Sequence, residues 1–400
     1  MVQSNPHFQK LRREYIFPII EKKLQEVKAL YPDADILNAG IGDVSLPLAP
    51  CIADAIAKAT FEMSSPQSIR GYGPSEGYLF LRETIAEHEY PSLGIDPDEV
   101  FISDGINTDI ANTLELFDST TNVAIPDPTY PVYLDSSLLA GREVSLMPCT
   151  EKTGFLPLIP EKKIDILYLC SPSNPTGVAM NRSELTSFVQ YAIKNGSIIL
   201  YDNAYSAFIT SQDIPKSIYE IPGADTVAIE FRSFSKSAGF TGLRCGYTVV
   251  PKGITVYNGQ QPVGLHSLWK KRQSIKSNGV SYPIQKGAQS CFTQTGKEQT
   301  SNQVKNYLES ARILREGLHN LKQTFYGGID APYIWWKVPS CRSSWEFFDI
   351  LLKQCQIIAI PGLGFGTHGE GFIRLSSFMD PVKAYTAVER IKTIQYEENI

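Results

Sequence analysis

The stretch IDILYLCSPSNPTGVAMNRSELTSFVQYAIKNGSIILYD (164–202) decides the fold class. It opens and closes on short apolar runs, IDILYLC (164–170) and SIILYD (197–202), that read as strands. Between them SELTSFVQYAIKN (183–195) spaces its apolar residues as an amphipathic helix does. Strand, helix, strand is the unit of a parallel sheet. Working outward, VFIS (100–103), NVAIP (122–126), TVAIEF (226–231) and YTVVP (247–251) read as further strands, and TDIANTLELF (108–117) as a further helix. The pattern predicts an α/β fold, a mostly parallel sheet with helices on both faces.

Towards the C-terminus the pattern changes. A long helix is expected over about 298–320, then a strand at PYIWWKV (332–338), a helix over 345–354, a strand IIAIP (357–361), a glycine-rich loop and a strand FIRLSS (372–377). That is a smaller α+β layer. Three parts are therefore expected. Residues 1–45 form an N-terminal segment with no sheet partner of its own, packed on the small domain or over the active site. Residues 46–290 form a large domain, and residues 291–400 a small C-terminal one.

Composition narrows the function. The 400 residues carry a formal net charge of −5 with no basic patch, which argues against nucleic acid. No signal-peptide pattern or membrane-length apolar run is present. Seven scattered cysteines without a CxxC pair suit a reduced, cytoplasmic protein, and the five histidines have no metal-ligand spacing, so no metal is expected.

Six stretches carry candidate chemistry. In SFSKSAGFTGLR (233–244) a strand runs into serines, a lysine, glycines and an arginine. Pyridoxal phosphate needs a lysine amine for its aldehyde and several donors for its phosphate. Lys236 would supply the first, and Ser233, Ser235 and Arg244 the second; a solvated lysine at a strand end also fits. In SIILYDNAY (197–205) Asp202 closes a buried strand, where ligands of open α/β sheets bind. It could pair with a pyridinium nitrogen, with Tyr205 reaching the ring oxygen, or it could cap a helix. In LCSPSNPTG (169–177) Asn174 could donate to the ring oxygen, and Asn174–Pro175 is a candidate cis peptide; a plain loop is the alternative. In ISDGINTDI (102–110) the helix start could cradle a phosphate or be merely capped. In DPTYPVY (127–133) Tyr130 could stack on a ring. Arg374, inside the apolar GFIRLSS (371–377), needs an anionic partner, either a substrate carboxylate or a structural carboxylate. The loop PGLGFGTHGEG (361–371) precedes a strand and not a helix, so it is no dinucleotide fingerprint.

In this order, together with NPHF, IGD, RGYGPSEG, YDNAYSAFI and SNGVSYPIQ, these motifs resemble fold-type I pyridoxal-phosphate aminotransferases over nearly the whole chain, and within them the LL-diaminopimelate aminotransferase family. The resemblance implies that Lys236 carries the cofactor as a Schiff base and moves the proton, with Asp202 and Tyr205 as its catalytic partners. Asn174 joins Tyr205 at the ring oxygen and Tyr130 stacks. Ser233, Ser235, Arg244 and the backbone of Ile106 and Asn107 hold the phosphate. Tyr72 reaches it from the neighbouring subunit of a homodimer. Arg374 clamps the α-carboxylate, assisted by Asn174 and the Gly42 backbone, and Tyr15 and Asn278 line the substrate end.

Two positions depart from that family. It usually has lysine at Asn107 and an acid at Ser75, and both serve the far end of diaminopimelate. Without the lysine, a distal carboxylate loses a charge-assisted contact worth about 1.5–3 kcal/mol. The expected substrate is a basic L-amino acid, diaminopimelate-like or of lysine, ornithine or arginine type; one with a single carboxylate, such as lysine, ornithine, arginine or a hydroxylated arginine, fits better, with 2-oxoglutarate a candidate amino acceptor. The alternative is elimination and cyclisation of a hydroxylated arginine on the same cofactor, which needs no keto acid. Without an added DNA-binding domain, a regulatory role is disfavoured.

Overall fold

The computed structural model describes residues 2–11, 16–339 and 342–394. A seven-stranded sheet runs in the order Val100–Ser103, Gly246–Val249, Ala228–Ser233, Ile198–Asp202, Ile166–Cys170, Val123–Asp127, Val144–Pro148. Its strands are parallel except Gly246–Val249, which is antiparallel to both neighbours.

The central strands are buried along their whole length. Successive side chains point to opposite faces. Leu167, Leu169, Ile199 and Tyr201 enter one core with Leu185 and Phe188, while Ile166, Tyr168, Ile198 and Leu200 enter the other with Ile110 and Trp269. A strand covered on both sides needs an unbroken apolar run, and that is what made these segments legible. The helix Arg182–Asn195 between two of them is fixed at both ends. The Asn181 side chain accepts from the Glu184 N–H in a capping box, and Gly196 closes the helix in the left-handed region (φ 64°). The run 108–117 is a helix only over Ile106–Asn112 and continues as a tighter 3₁₀ turn over Thr113–Leu116. The Thr113 hydroxyl donates to the Asp109 carbonyl at 2.6 Å where the helix tightens.

The parallel strands end on one edge, at Ser103, Asp127, Cys170, Asp202 and Ser233. The antiparallel strand starts there, with Gly246 opposite both Ser103 and Ser233. The reversed direction brings Arg244, two residues earlier, to the edge where its neighbours finish.

A second, antiparallel sheet has the order Phe325–Gly327, Tyr333–Lys337, Phe372–Ser376, Ile360–Pro361. Trp335, Trp336, Phe347, Leu351, Ile373 and Leu375 fill its core, joined by Ile16, Ile20 and Val27 from one face of the helix Ile16–Leu30. One expectation is corrected here. The N-terminal segment does have a sheet partner, because Leu37–Asn38 pairs in parallel with Ile357–Ile358. The run 357–361 is thereby divided, since Ile360–Pro361 pairs instead with Phe372–Ser376. At the division, Ala359 lies so close to Gly40 that a Cβ on residue 40 would stand 2.8 Å from the Ala359 carbonyl oxygen. A two-residue strand is too short to show a period of two in sequence, so the pairing left no signal. Among the described residues no helix is long and apolar enough to cross a membrane.

Candidate active site

A cavity of about 370 Å³ opens at the C-terminal edge of the large sheet. It gathers Gly42, Ile106, Asn107, Tyr130, Asn174, Asp202, Tyr205, Ser233, Ser235, Lys236, Arg244 and Arg374 from segments scattered along the chain. Tyr72, Ser75 and Asn278 are not part of its wall. Tyr72 is 90% exposed, and Ser75 donates to the Glu76 carboxylate at 3.0 Å, which also faces Lys270. Tyr15 lies outside the described residues.

Asp202 ends the central strand with its carboxylate buried. Burial pushes its pKa from 3.8 up to about 6, against the Tyr133 hydroxyl and the Ala204 N–H, which favour the anion. Tyr133 donates to Oδ2, and Ala204 N–H donates to Oδ1 at 3.1 Å. Among the described residues no cation faces Asp202, so a protonated ring nitrogen is a partner it lacks.

Lys236 lies in the short helical turn Phe234–Ser237 that follows the neighbouring strand. Its Nζ donates to the Gly42 carbonyl. Burial lowers its pKa from 10.5 to about 8, with Arg374 and Arg244 adding to the fall and Asp43 opposing it. A neutral amine is the nucleophile an aldehyde requires. The Ser233 oxygen accepts from the Ser235 N–H at 3.1 Å as the cap of this turn, which leaves its hydroxyl hydrogen for another acceptor.

Arg244 has a left-handed backbone (φ 63°), a conformation that costs about 1–2 kcal/mol outside glycine. Strain of this kind gathers at functional sites. Its guanidinium fills the space in front of Gly105, where a Cβ would stand 2.2 Å from Nη2. Gly105, itself at φ 117°, precedes the helix whose first N–H groups belong to Ile106 and Asn107. A guanidinium, two serine hydroxyls and a helix start make a cradle for a dianion.

Arg374 is 2% exposed on the second sheet. It donates from Nη1 to Asn174 Oδ1 at 2.7 Å and from Nη2 to the Gly40 carbonyl at 2.7 Å, while its Nε is buried without a partner. No carboxylate is among these partners, so a buried cation faces the cavity ready for one. Asn174 accepts with its oxygen and therefore turns its amide nitrogen to another acceptor. The peptide Asn174–Pro175 is cis, as are Ser171–Pro172 and Asp127–Pro128.

Sequence reading missed two residues. Tyr133, which holds Asp202, is the second tyrosine of DPTYPVY, three residues after Tyr130 and one helical turn along, so a signal existed. Tyr333 lines the cavity from the second sheet, and its hydroxyl lies 2.9 Å from that of Tyr205. In PYIWWKV it looks like one more core aromatic, and sequence offers no sign of its role.

A buried acid without a counter-ion, a lysine of lowered pKa, a cationic phosphate-sized cradle and a buried arginine share one cavity. That set fits pyridoxal phosphate and an amino-acid carboxylate, and it defines a lysine-linked pyridoxal-phosphate enzyme. The comparisons narrow the class. The family model for aminotransferase class I and II matches residues 34–391, and the chain belongs to that family. It is 46% identical to the LL-diaminopimelate aminotransferase of Parabacteroides distasonis, over 98% of this chain and 99% of the relative. The solved structure of L,L-diaminopimelate aminotransferase from Chlamydomonas reinhardtii superposes with a TM-score of 0.92 at 42% identity, covering 98% of each chain. A substrate-bound BacF structure from Bacillus subtilis does so with 0.84 at 25%, again over 98% of each. The protein is a pyridoxal-phosphate-dependent aminotransferase.

The rate at which cofactor-free protein captures pyridoxal phosphate rises with pH around a midpoint near 8, where Lys236 loses its proton, as stopped-flow absorbance will show. For Asp202, folded chains bind a proton between pH 3.8 and about 6 that unfolded chains release, so stability falls as pH rises through that window. Above it the buried anion costs ~3 kcal/mol. Asp202→Asn in the cofactor-free protein therefore raises the urea midpoint at pH 7.5 and leaves it near wild type at pH 4.

Proposed function

We propose that this aminotransferase moves the α-amino group of a basic L-amino acid with a single carboxylate, of lysine, ornithine or arginine type, to a 2-oxo acid such as 2-oxoglutarate. One observation carries the choice. Among the described residues of the cavity wall the cations are Lys236, Arg244 and Arg374, and the cofactor and the α-carboxylate have need of all three. Position 107 holds a neutral amide whose oxygen already accepts from the Tyr130 hydroxyl at 3.0 Å. Both relatives named for diaminopimelate act on a substrate with a second carboxylate. In this chain that group would meet Asn107, and no further cation among the described residues of the cavity wall.

Bound pyridoxal phosphate supplies an electron sink for the bond broken at Cα. The chain's residues do the rest. Arg374 draws in the α-carboxylate, with the Asn174 amide beside it, and orients the Cα–H towards Lys236. The Lys236 amine would take that proton and hold it for return. Tyr205 and Asn174 would donate to the ring oxygen, Asp202 would keep the ring nitrogen protonated, and Tyr130 would pack on the ring. Ser233, Ser235, Arg244 and the N–H groups of Ile106 and Asn107 hold the phosphate.

The positions of Tyr72, Ser75 and Asn278 support a homodimer with shared sites. None of the three lines this chain's own cavity, and Tyr72 and the neighbouring Ile69 (70% exposed) are left uncovered within one chain. We read them as serving the partner subunit's cavity, in the cytoplasm. The three-part organisation at 1–45, 46–290 and 291–400 belongs to the same reading.

Incubation with lysine, ornithine, arginine, γ-hydroxyarginine and LL-diaminopimelate, each with and without 2-oxoglutarate, tests the substrate. Turnover of a mono-carboxylate only with the keto acid, and poorer turnover of diaminopimelate, is the expected result. Asn107→Lys with Ser75→Glu then raises kcat/KM for diaminopimelate by about tenfold or more, the value of a charge-assisted hydrogen bond. Loss of water from γ-hydroxyarginine without any keto acid would replace transamination by elimination and cyclisation. For the dimer, Lys236→Ala and Tyr72→Ala subunits are each expected to be nearly inactive. Mixed after subunit exchange they recover about a quarter of wild-type activity, because half the dimers carry one intact site; no recovery would refute site sharing.

A further inference from the structure

We infer that Tyr333 is a positioning residue that ties the cofactor-side Tyr205 to the carboxylate-side Arg374. The inference rests on the site reading above and extends it to a residue on the second sheet.

Tyr333 is 1% exposed, so its contacts are fixed by packing. Its hydroxyl shares a hydrogen bond with the Tyr205 hydroxyl at 2.9 Å. Its ring lies under the Arg374 guanidinium, whose carbon is 4.4 Å from the ring centre. The Phe365 ring lies 4.7 Å from the same guanidinium carbon, so two aromatic rings pack against the cation. The edge of Tyr205 meets Tyr333 at 5.2 Å and 75°. The hydroxyl also explains a glycine. A Cβ on Gly42 would stand 2.4 Å from it, and Gly42 is the residue whose carbonyl receives the Lys236 amine.

Between two phenols one must donate and one accept. If Tyr205 gives its proton to the anionic ring oxygen, its own oxygen is left to accept, and Tyr333 becomes the donor behind it. Hydrogen bonds in such a chain strengthen one another. The cation on the Tyr333 ring makes its hydroxyl a better donor, and burial keeps both phenols protonated. Tyr333 thus acts twice, through its hydroxyl on Tyr205 and through its ring face on Arg374. The two effects separate by substitution. Tyr333→Phe removes only the hydroxyl, and Tyr333→Leu removes the ring as well.

The test uses holoenzyme and two readouts apart from turnover. The first is the pH midpoint of the bound cofactor's absorbance change. The ionisable groups around the pair are Lys236, Asp202, Arg374, Arg244, Asp43 and Cys170, and neither substitution alters them. The second is the affinity for hexanoate, a carboxylate without an amine, read from its effect on the same absorbance. With Tyr333→Phe the ring oxygen is less well neutralised and holds the proton on the Lys236 nitrogen more tightly. Its midpoint rises by about 0.3–0.7 pH unit while hexanoate binding stays within about twofold. With Tyr333→Leu the midpoint rises likewise and hexanoate binds about fivefold more weakly. A Tyr333→Phe midpoint equal to or below wild type overturns the inference, as does a Tyr333→Leu enzyme with unchanged hexanoate affinity. An aldimine absorbance change with pH that survives in Lys236→Ala overturns the site reading itself, and the Tyr333 assignment with it.

Discussion

A carboxylate buried at the end of a central strand is the constraint on which this site depends. Asp202 cannot remain an anion there without help, and the chain supplies only a phenol and a backbone N–H. Neither brings positive charge. A protein that keeps such a group accepts a cost in its cofactor-free state that a ring cation would remove. The cost is therefore linked to binding.

The layer behind the cavity is built for rigidity. Glu230, fully buried in the strand that leads to Lys236, accepts from the Tyr90 hydroxyl at 2.7 Å, the Asn203 amide at 2.8 Å and the Ser217 hydroxyl at 3.0 Å. Asn203 follows Asp202 directly. One carboxylate thus fixes the strand ahead of the lysine to the residue after the acid. Arg232, two residues along the same strand, reaches Glu89 and the Lys216 carbonyl. A buried polar network satisfied at this many points holds its strands in one arrangement, and Asp202 and Lys236 are held at its ends.

Sequence showed much of this, for a physical reason in each case. Strands covered on both faces leave unbroken apolar runs, so six strands of the large sheet could be read, and the residues at their ends carried the chemistry. Arg374 was visible because a cation inside an apolar strand calls for an anion. What stayed hidden depends on contacts between distant segments. Leu37–Asn38 is too short to carry a pattern. Tyr333 sits in an aromatic strand among Trp335 and Trp336, and only the register of the second sheet separates its role from theirs. Tyr72, Ser75 and Asn278 were placed by resemblance, and within one chain they stand apart from the cavity.

The two sheets contribute different halves of the site. The large sheet supplies the acid, the lysine and the phosphate cradle, and the second supplies Arg374 and Tyr333. Several of the side chains that cross between them carry charge. Asp330 accepts from the backbone and hydroxyls of Thr210 and Ser211, with the shortest contact at 2.6 Å. Asp127 accepts from Thr367 at 2.7 Å and from His368 Nδ1 at 2.8 Å. Inside the cavity the links are the Arg374–Asn174 hydrogen bond and the Tyr333–Tyr205 hydroxyl pair. On the function proposed above, an arriving α-carboxylate would engage the same guanidinium and, through Asn174, also touch the large sheet. Substrate binding would then add a bridge where the two halves meet, with the group common to every α-amino acid. Selectivity would arise further out, at positions such as Asn107, where the cavity wall offers a neutral amide.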